Sequence, residues 1–120
     1  MKPDAASAAR AVDMFDLLIE FFEDGKRWIT GEFVDASGNR CLVGAMRYIR
    51  AGHNLYGTPA RYYLLRAMRH RDEGLMMFND CCKDFDELGN LILNARKLAV
   101  TDIVKARFGL AARDLVSALE

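Results

Sequence analysis

The chain has 120 residues, of which 52% are hydrophobic and 28% are charged, with only two prolines. This composition is typical of a globular protein and excludes a disordered or low-complexity chain, so residues 1–120 are expected to form a single domain. The formal net charge is zero, so the overall charge indicates no particular class of partner.

The chain lacks the features of a membrane or secreted protein. Its N-terminus has no apolar leader region, and acidic residues interrupt the apolar run around Phe15 to Phe22. No segment approaches the ~20 apolar residues that a membrane-spanning helix needs. The three cysteines form an odd number without disulfide spacing, which suits a reducing compartment. We expect a soluble, cytoplasmic protein without membrane contact.

The first predicted helix runs from an Asp4 cap to about Asp24, with Gly25 as its stop. Acidic residues line one side of this helix. Apolar residues recur on the other side at helical spacing: Val12, Phe15, Leu18, Ile19 and Phe22. The breadth of this apolar face predicts a central helix, or one that also contacts a second subunit, so a homodimer is an alternative.

A hairpin or hairpin-like loop is predicted near residues 28–43. Asp35 and Gly38 are the first and fourth residues of a strong turn pattern, and apolar residues flank the turn on both sides. Trp28 is expected to lie over the entrance to the core, and Gly31 is a candidate bulge. Gly44 lies where a helix begins, which indicates close backbone packing rather than a phosphate cradle.

Three further segments follow before residue 81. Apolar residues at helical spacing from Leu42 to Ile49 predict a short helix, and Gly52 is expected to end it. Thr58 and Pro59 begin the next helix as N-cap and first helical residue, and Gly74 ends it. The apolar run 75–78 is interpreted as a buried connector, and Asn79-Asp80 as turn or helix-cap chemistry.

Asp84 and Glu87 form a capping-box-like pair that begins the fourth helix. Thr101 either caps a final helix or lies within a helix that runs on with a bend. The predicted fold is therefore mainly α, with about five helices in an orthogonal or bundle-like domain and one short β-hairpin or hairpin-like loop.

The chain contains the short motifs Trp28-x-x-Gly31, Asp35-x-x-Gly38, Cys41-x-x-Gly44-Ala45 and Phe78-Asn79-Asp80. These motifs resemble those of a family of small bacterial and phage proteins of unknown function. The resemblance covers about the middle half of the chain, and Cys41-Leu-Val-Gly44-Ala is its most specific element. A departure is the adjacent pair Cys81-Cys82, where small or turn-forming residues are expected. Because the family has no assigned activity, the resemblance implies a helical fold and no chemistry. The motif residues are Trp28, Gly31, Asp35, Gly38, Cys41, Gly44, Phe78, Asn79 and Asp80.

Charge is distributed unevenly along the chain. Residues 40–71 contain seven arginines, no lysine, no acidic residue and all four tyrosines. Arginines interleaved with aromatic residues can contact phosphates and stack on bases. Alternatively, they pair with the acidic side of the first helix and with Asp84, Asp86 and Glu87. The candidate interaction or polyanion surface consists of Arg47, Arg50, Arg61, Tyr62, Arg66 and Arg69.

The remaining candidates for a catalytic or metal site use the cysteines. Cys41, His53 and Asp80 have the residue types of a nucleophile, a base and an orienting group, but a single Cys beside a helix start is more often a small buried apolar residue. Adjacent cysteines chelate zinc poorly. No catalytic, metal or cofactor site is therefore predicted.

The favoured function is a protein-interaction or regulatory module without catalytic activity, acting on an unknown protein partner or on itself as a homodimer. The first alternative is binding of nucleic acid or another polyanion through the segment 40–71. The second alternative is an enzyme that uses Cys41.

Overall fold

The computed structural model describes residues 2–50, 58–68 and 74–108. Over these ranges the fold is mainly α, as predicted. The α-helices are α1 (Ala5–Phe22), α2 (Leu42–Ile49), α3 (Pro59–Ala67), α4 (Gly74–Cys81) and α5 (Phe85–Phe108), and a 3-10 turn (Glu23–Gly25) follows α1.

The core lies where the three longest helices meet. α1, α3 and α5 pack against one another in all three pairs, while α2 packs on α1, and α4 contacts α2 and α3. Apolar side chains from each of these helices fill the space between them. The largest fully buried ones are Phe15, Leu18, Phe22, Leu42, Met46, Tyr63, Leu64, Leu88 and Ile92.

Helix α1 begins and ends close to its predicted limits. The Asp4 carboxylate accepts a hydrogen bond from the backbone N–H of Ser7 at 2.8 Å, which is the predicted N-cap. This bond lowers the pKa of Asp4. The helix ends at Phe22, because Glu23 and Asp24 both have positive φ angles. Ile19 was expected to face the core but is exposed.

Helices α3 and α5 begin where the sequence places them. The Thr58 hydroxyl accepts from the Arg61 N–H, and the Asp84 carboxylate accepts from the Glu87 N–H. α5 does not stop at Thr101. The Thr101 hydroxyl donates to the backbone oxygen of Lys97, so it is satisfied inside the helix and caps nothing.

The secondary structure predicted for residues 74–80 was wrong. Gly74 does not end α3, which ends at Ala67; it is instead the first residue of α4. The apolar run 75–78 is helical, and Asn79 and Asp80 lie in the last turn of the same helix. Their side chains nevertheless have the predicted cap and turn chemistry, since they accept from the backbone N–H groups of Leu42 and Gly31. The apolar run lacks polar interruptions, so its periodicity could not distinguish a buried helix from a connector.

A buried carboxylate joins the N-terminus to α3 and α5. Asp102 accepts a hydrogen bond from the Tyr63 hydroxyl at 2.7 Å and pairs with Lys2 at 3.3 Å and with Arg66 at 3.5 Å. Burial, reinforced by the Asp102 carboxylate, raises the pKa of Tyr63. The phenol therefore stays protonated and donates to Asp102 at all ordinary pH values.

The predicted hairpin-like loop is present between α1 and α2, with single bridges rather than extended strands. Arg40 forms a parallel bridge with Trp28 and an antiparallel bridge with Val34. The Gly38 N–H donates to the Asp35 backbone oxygen at 3.1 Å, and Gly38 has a φ of +84°. The Asp-Gly turn is therefore confirmed. We refer to residues 28–41 as the connecting loop.

Candidate functional site

The connecting loop is fixed to the helices by the side chain of Asn79, which is fully buried. Its carbonyl oxygen accepts from the Trp28 indole N–H at 2.7 Å and from the Leu42 backbone N–H at 3.0 Å. Its amide group donates to the Ile29 backbone oxygen and to the Asp80 carboxylate, both at 3.1 Å. One side chain of α4 thus joins the loop, the start of α2 and its own neighbour.

Asp80 and Asp35 hold the rest of the loop. Asp80 accepts from the Gly31 backbone N–H at 2.9 Å. Asp35 accepts from the backbone N–H groups of Ser37 and Asn39, and from the Asn39 amide. Desolvation raises the pKa of Asp35, but its hydrogen bonds with Asn39 and Ser37 outweigh this effect and leave the pKa below its usual value. Both carboxylates therefore hold backbone in place.

The end of the loop lies directly against α2. Cys41 is the N-cap of α2, and its sulfur accepts from the Gly44 N–H at 3.4 Å. The Cys41 N–H donates to the backbone oxygen of Phe33 at 3.3 Å. A Cβ atom added at Gly44 would overlap that same oxygen. The close backbone packing predicted for Gly44 is therefore present, and the Phe33 carbonyl is the group it contacts.

Four of the motif residues, Trp28, Gly31, Asn79 and Asp80, thus meet through hydrogen bonds that support the loop. Phe33 and Val34 of this loop and Arg47 and Tyr48 of α2 are exposed, and Arg40 of the loop is half-buried. The Arg47 guanidinium carbon lies 4.8 Å from the Phe33 ring centroid, and that of Arg40 lies 4.4 Å from the Tyr48 centroid. We call Phe33, Val34, Arg40, Arg47 and Tyr48 the aromatic–arginine face.

The three cysteines differ in accessibility. Cys41 is only 4% exposed, whereas Cys81 is exposed. Burial, followed by the nearby charges of Glu87, Cys81 and Asp84, raises the pKa of Cys82 to about 11. His53, the base of the enzymatic alternative, lies outside the described residues. Within the described ranges, no three His, Cys, Asp or Glu side chains form a group that could hold a metal ion.

The described arginines of segment 40–71 have different contacts. Arg40 and Arg47 belong to the aromatic–arginine face. Arg66 binds Asp102 on α5 instead of the predicted acidic side of α1, from which Asp16 pairs with Arg96. Arg69 lies outside the described residues.

Two clefts flank the start of α3. The larger, about 720 Å³, is lined by residues of the N-terminus and α3 that include Lys2, Pro3, Arg61, Tyr62, Leu65 and Arg66. We call it the N-terminal cleft. The smaller, about 420 Å³, includes Arg10 and Arg50, and both clefts share Thr58 and Pro59. The Arg/Tyr pattern of residues 40–71 predicted Arg61, Tyr62 and Arg66 as surface residues. It did not include the apolar Leu65, and it did not include Lys2 because no local signal in the sequence places residue 2 beside α3.

Comparisons with known proteins do not identify this chain. No family model matches it, and no curated protein or solved structure matches it either. Within the described ranges, no helix is both long enough and apolar enough to cross a membrane. Function is therefore inferred from the geometry of the two surfaces, the aromatic–arginine face and the N-terminal cleft.

Replacing Gly44 by Ala is expected to destabilise the protein by about 1–3 kcal/mol, because the new methyl group displaces the Phe33 carbonyl. Gly89→Ala is the matched control. Its Cβ would meet only the Phe85 ring at 3.5 Å, so the better helix propensity should stabilise α5 by up to about 1 kcal/mol. Urea unfolding checks both values, and effects of the same sign would contradict this reading of Gly44.

Asn79→Ala should lower the free energy of unfolding by about 2–3 kcal/mol, because the Trp28 and Leu42 N–H groups lose their acceptor in a buried site. Trp28 is the only tryptophan, so its fluorescence reports the connecting loop directly. The control Asn90→Ala changes an exposed amide on α5 and should alter stability by less than about 0.5 kcal/mol. Equal losses from both variants would show that Asn79 does not hold the loop.

Alkylation should distinguish the three thiols. At about pH 8, Cys81 should react first and Cys82 more slowly, because its raised pKa leaves little thiolate. The Cys82 rate should keep rising as the pH approaches 11. Cys41 should react only after unfolding, because it is buried. Peptide mass spectrometry over time measures each rate. A native Cys41 that reacts as fast as Cys81 would instead favour the enzymatic alternative.

Proposed function

We propose that this chain is a protein-interaction module without catalytic activity, and that its partner docks on the aromatic–arginine face. The observation that carries the proposal is a set of exposed apolar side chains on the connecting loop, which is fixed at both ends, and on the adjoining helix α2. Tyr48 is 59% exposed, and Val34 and Phe33 are about two-fifths exposed. Met76, also exposed, lines a small pocket together with Phe33, which extends the apolar area towards α4.

The composition of this face supports a protein partner. Tyr and Arg are enriched among the residues that contribute most of the binding energy at interfaces. Each arginine of the face already lies over an aromatic ring, a contact that contributes about 0.5–1 kcal/mol at exposed sites. Arg40 and Arg47 are thus partly ordered before a partner arrives, which reduces the entropy lost on binding.

The hydrogen bonds that support the loop likewise order its backbone before a partner binds. Asn79 and Asp80 hold Ile29, Gly31 and Leu42 through hydrogen bonds to backbone atoms. A loop fixed in this way presents Phe33 and Val34 without a large ordering cost. The partner most compatible with this face has apolar side chains flanked by carboxylates, since the arginines supply positive charge.

A double variant of the face, Phe33→Ser/Tyr48→Ser, tests the proposal. Ile19→Ser/Leu93→Ser is the matched control, since both residues are exposed and line a different pocket. The proteins are immobilised and used to capture partners from a lysate of the source cells, with quantitative mass spectrometry. Sedimentation velocity over a range of concentrations measures self-association of the same three proteins.

A partner that the wild type and the control retain, and that the face variant loses, is the expected result. If the wild type and the control dimerise and the face variant does not, then the partner is a second copy of this chain. Equal retention and equal sedimentation of all three proteins would contradict the proposal.

Binding of nucleic acid or another polyanion is the second candidate function. The observation that favours it is the concentration of basic side chains in the two clefts beside the start of α3: Lys2, Arg10, Arg50, Arg61 and Arg66. The acidic residues Asp4 and Asp13 line the same clefts and reduce this positive charge. The enzymatic alternative has less support, because Cys41 is buried and serves as the N-cap of α2.

Labelled single- and double-stranded DNA and RNA, titrated at roughly 50 and 200 mM salt, test the second candidate. Three phosphate contacts predict a loss of affinity of about 20-fold between these salt concentrations for a single strand. Arg61→Ala/Arg66→Ala should weaken binding, and the control Lys105→Ala/Arg107→Ala on α5 should not. Affinity that is independent of salt, or equal in both variants, would exclude this function for the clefts.

A further inference from the structure

We infer that the N-terminal cleft binds a small organic carboxylate, with the carboxylate on Arg66 and Lys2 and a flat apolar body against Tyr62 and Leu65. Its volume of about 720 Å³ lies within the range of small-molecule sites. The cleft is separate from the residues of the aromatic–arginine face, so the inference does not depend on the proposed protein partner.

The two cationic side chains of the cleft, Lys2 and Arg66, are held in place by a buried carboxylate. Asp102, only 7% exposed, contacts Lys2 through one carboxylate oxygen and Arg66 through the other. The Tyr63 hydroxyl donates to the second oxygen and fixes the carboxylate. Asp102 therefore sets the positions of both cations before a ligand arrives, which is the property expected of a prepared binding site.

Arg66 keeps hydrogen-bonding capacity for a ligand. Its Nη1 atom pairs with Asp102 at 3.5 Å, whereas a guanidinium group carries five N–H donors in a planar fork that matches a carboxylate. The side chain is also 36% exposed. Its guanidinium carbon lies 5.7 Å from the Tyr62 ring centroid, so the cation and the aromatic ring are adjacent walls of one space.

The charges of the cleft favour a monoanion. Lys2, Arg61 and Arg66 supply three positive charges, and Asp4 and Asp102 supply two negative ones, which leaves a net charge of +1. A phosphate monoester would bring nearly two negative charges to this site. A carboxylate brings one, and therefore matches the site more closely.

The apolar lining of the cleft indicates the chemistry of the rest of the ligand. Pro3, Pro59 and Leu65 line the cleft beside the Tyr62 ring. The Tyr62 ring meets the Tyr63 ring edge to face, with centroids 5.1 Å apart, and Tyr63 is fully buried. A planar hydrocarbon or aromatic group would thus pack on a ring that the core already supports.

The two helix N-termini beside the cleft are not the source of this specificity. Asp4 caps α1 and Thr58 caps α3 with their own side chains. The backbone N–H groups of Ser7 and Arg61 are therefore already bound, and recognition of the ligand depends on the side chains.

Titration of the ¹⁵N-labelled full chain with phenylacetate and indole-3-acetate tests the inference, with inorganic phosphate and adenosine monophosphate as comparison probes. Spectra are recorded up to about 10 mM of each probe, which detects millimolar affinities. Both carboxylates should shift the backbone signals of Arg61 to Arg66. Arg66→Gln should weaken their binding by about tenfold, and Tyr62→Ala should weaken indole-3-acetate more than phenylacetate because the larger ring loses more contact area.

Arg107→Gln on α5 is the control for loss of one arginine and should leave both affinities unchanged. Tyr62→Ala does not touch Asp102, so it remains informative if Arg66→Gln fails to fold. No shifts with either carboxylate, or shifts equal in all variants, would overturn the inference. Tighter binding of phosphate or adenosine monophosphate would overturn the carboxylate assignment and identify a phosphate site. Binding of oligonucleotides alone would assign the cleft to the polyanion function instead.

Discussion

The buried amide of Asn79 is the interaction on which the connecting loop depends. It lies on α4, yet three of its hydrogen bonds reach Trp28, Ile29 and Leu42. An amide suits this position because it donates and accepts at once. A carboxylate would bring an uncompensated charge, and an apolar residue would leave buried backbone groups without partners. This one side chain therefore ties the start of the loop and the start of α2 to α4, and Asp80 and Asp35 hold the rest of the loop.

The parts of the fold that sequence predicted are those fixed by local chemistry. Asp4, Thr58 and Asp84 each cap a helix through a residue three positions further on, and the turn at Asp35 closes within five residues. Such signals need no knowledge of the tertiary structure. The helix α4 gave no such signal. Its apolar run has no helical period, and Gly74 at its first residue is more typical of a helix end.

The candidate sites depend on contacts between residues distant in the chain. Asn79 and Trp28 are 51 residues apart, and Tyr63 and Asp102 are 39 apart. Sequence patterns identified Trp28, Asn79 and Asp80 as a group of motifs but could not show that they meet. They also placed Arg47 and Arg66 in one cationic surface. They could not show the contacts of each arginine: Arg47 packs on Phe33, whereas Arg66 pairs with a buried carboxylate on α5.

The backbone attachment of the connecting loop has a consequence for how this fold can diverge. The bonds from Asn79 and Asp80 end mainly on backbone atoms, and the close approach at Gly44 is made by the backbone carbonyl of Phe33. None of these contacts requires a particular side chain at residues 32–34. Substitutions at these three positions therefore change the exposed surface of the loop while the hydrogen bonds that anchor it stay the same.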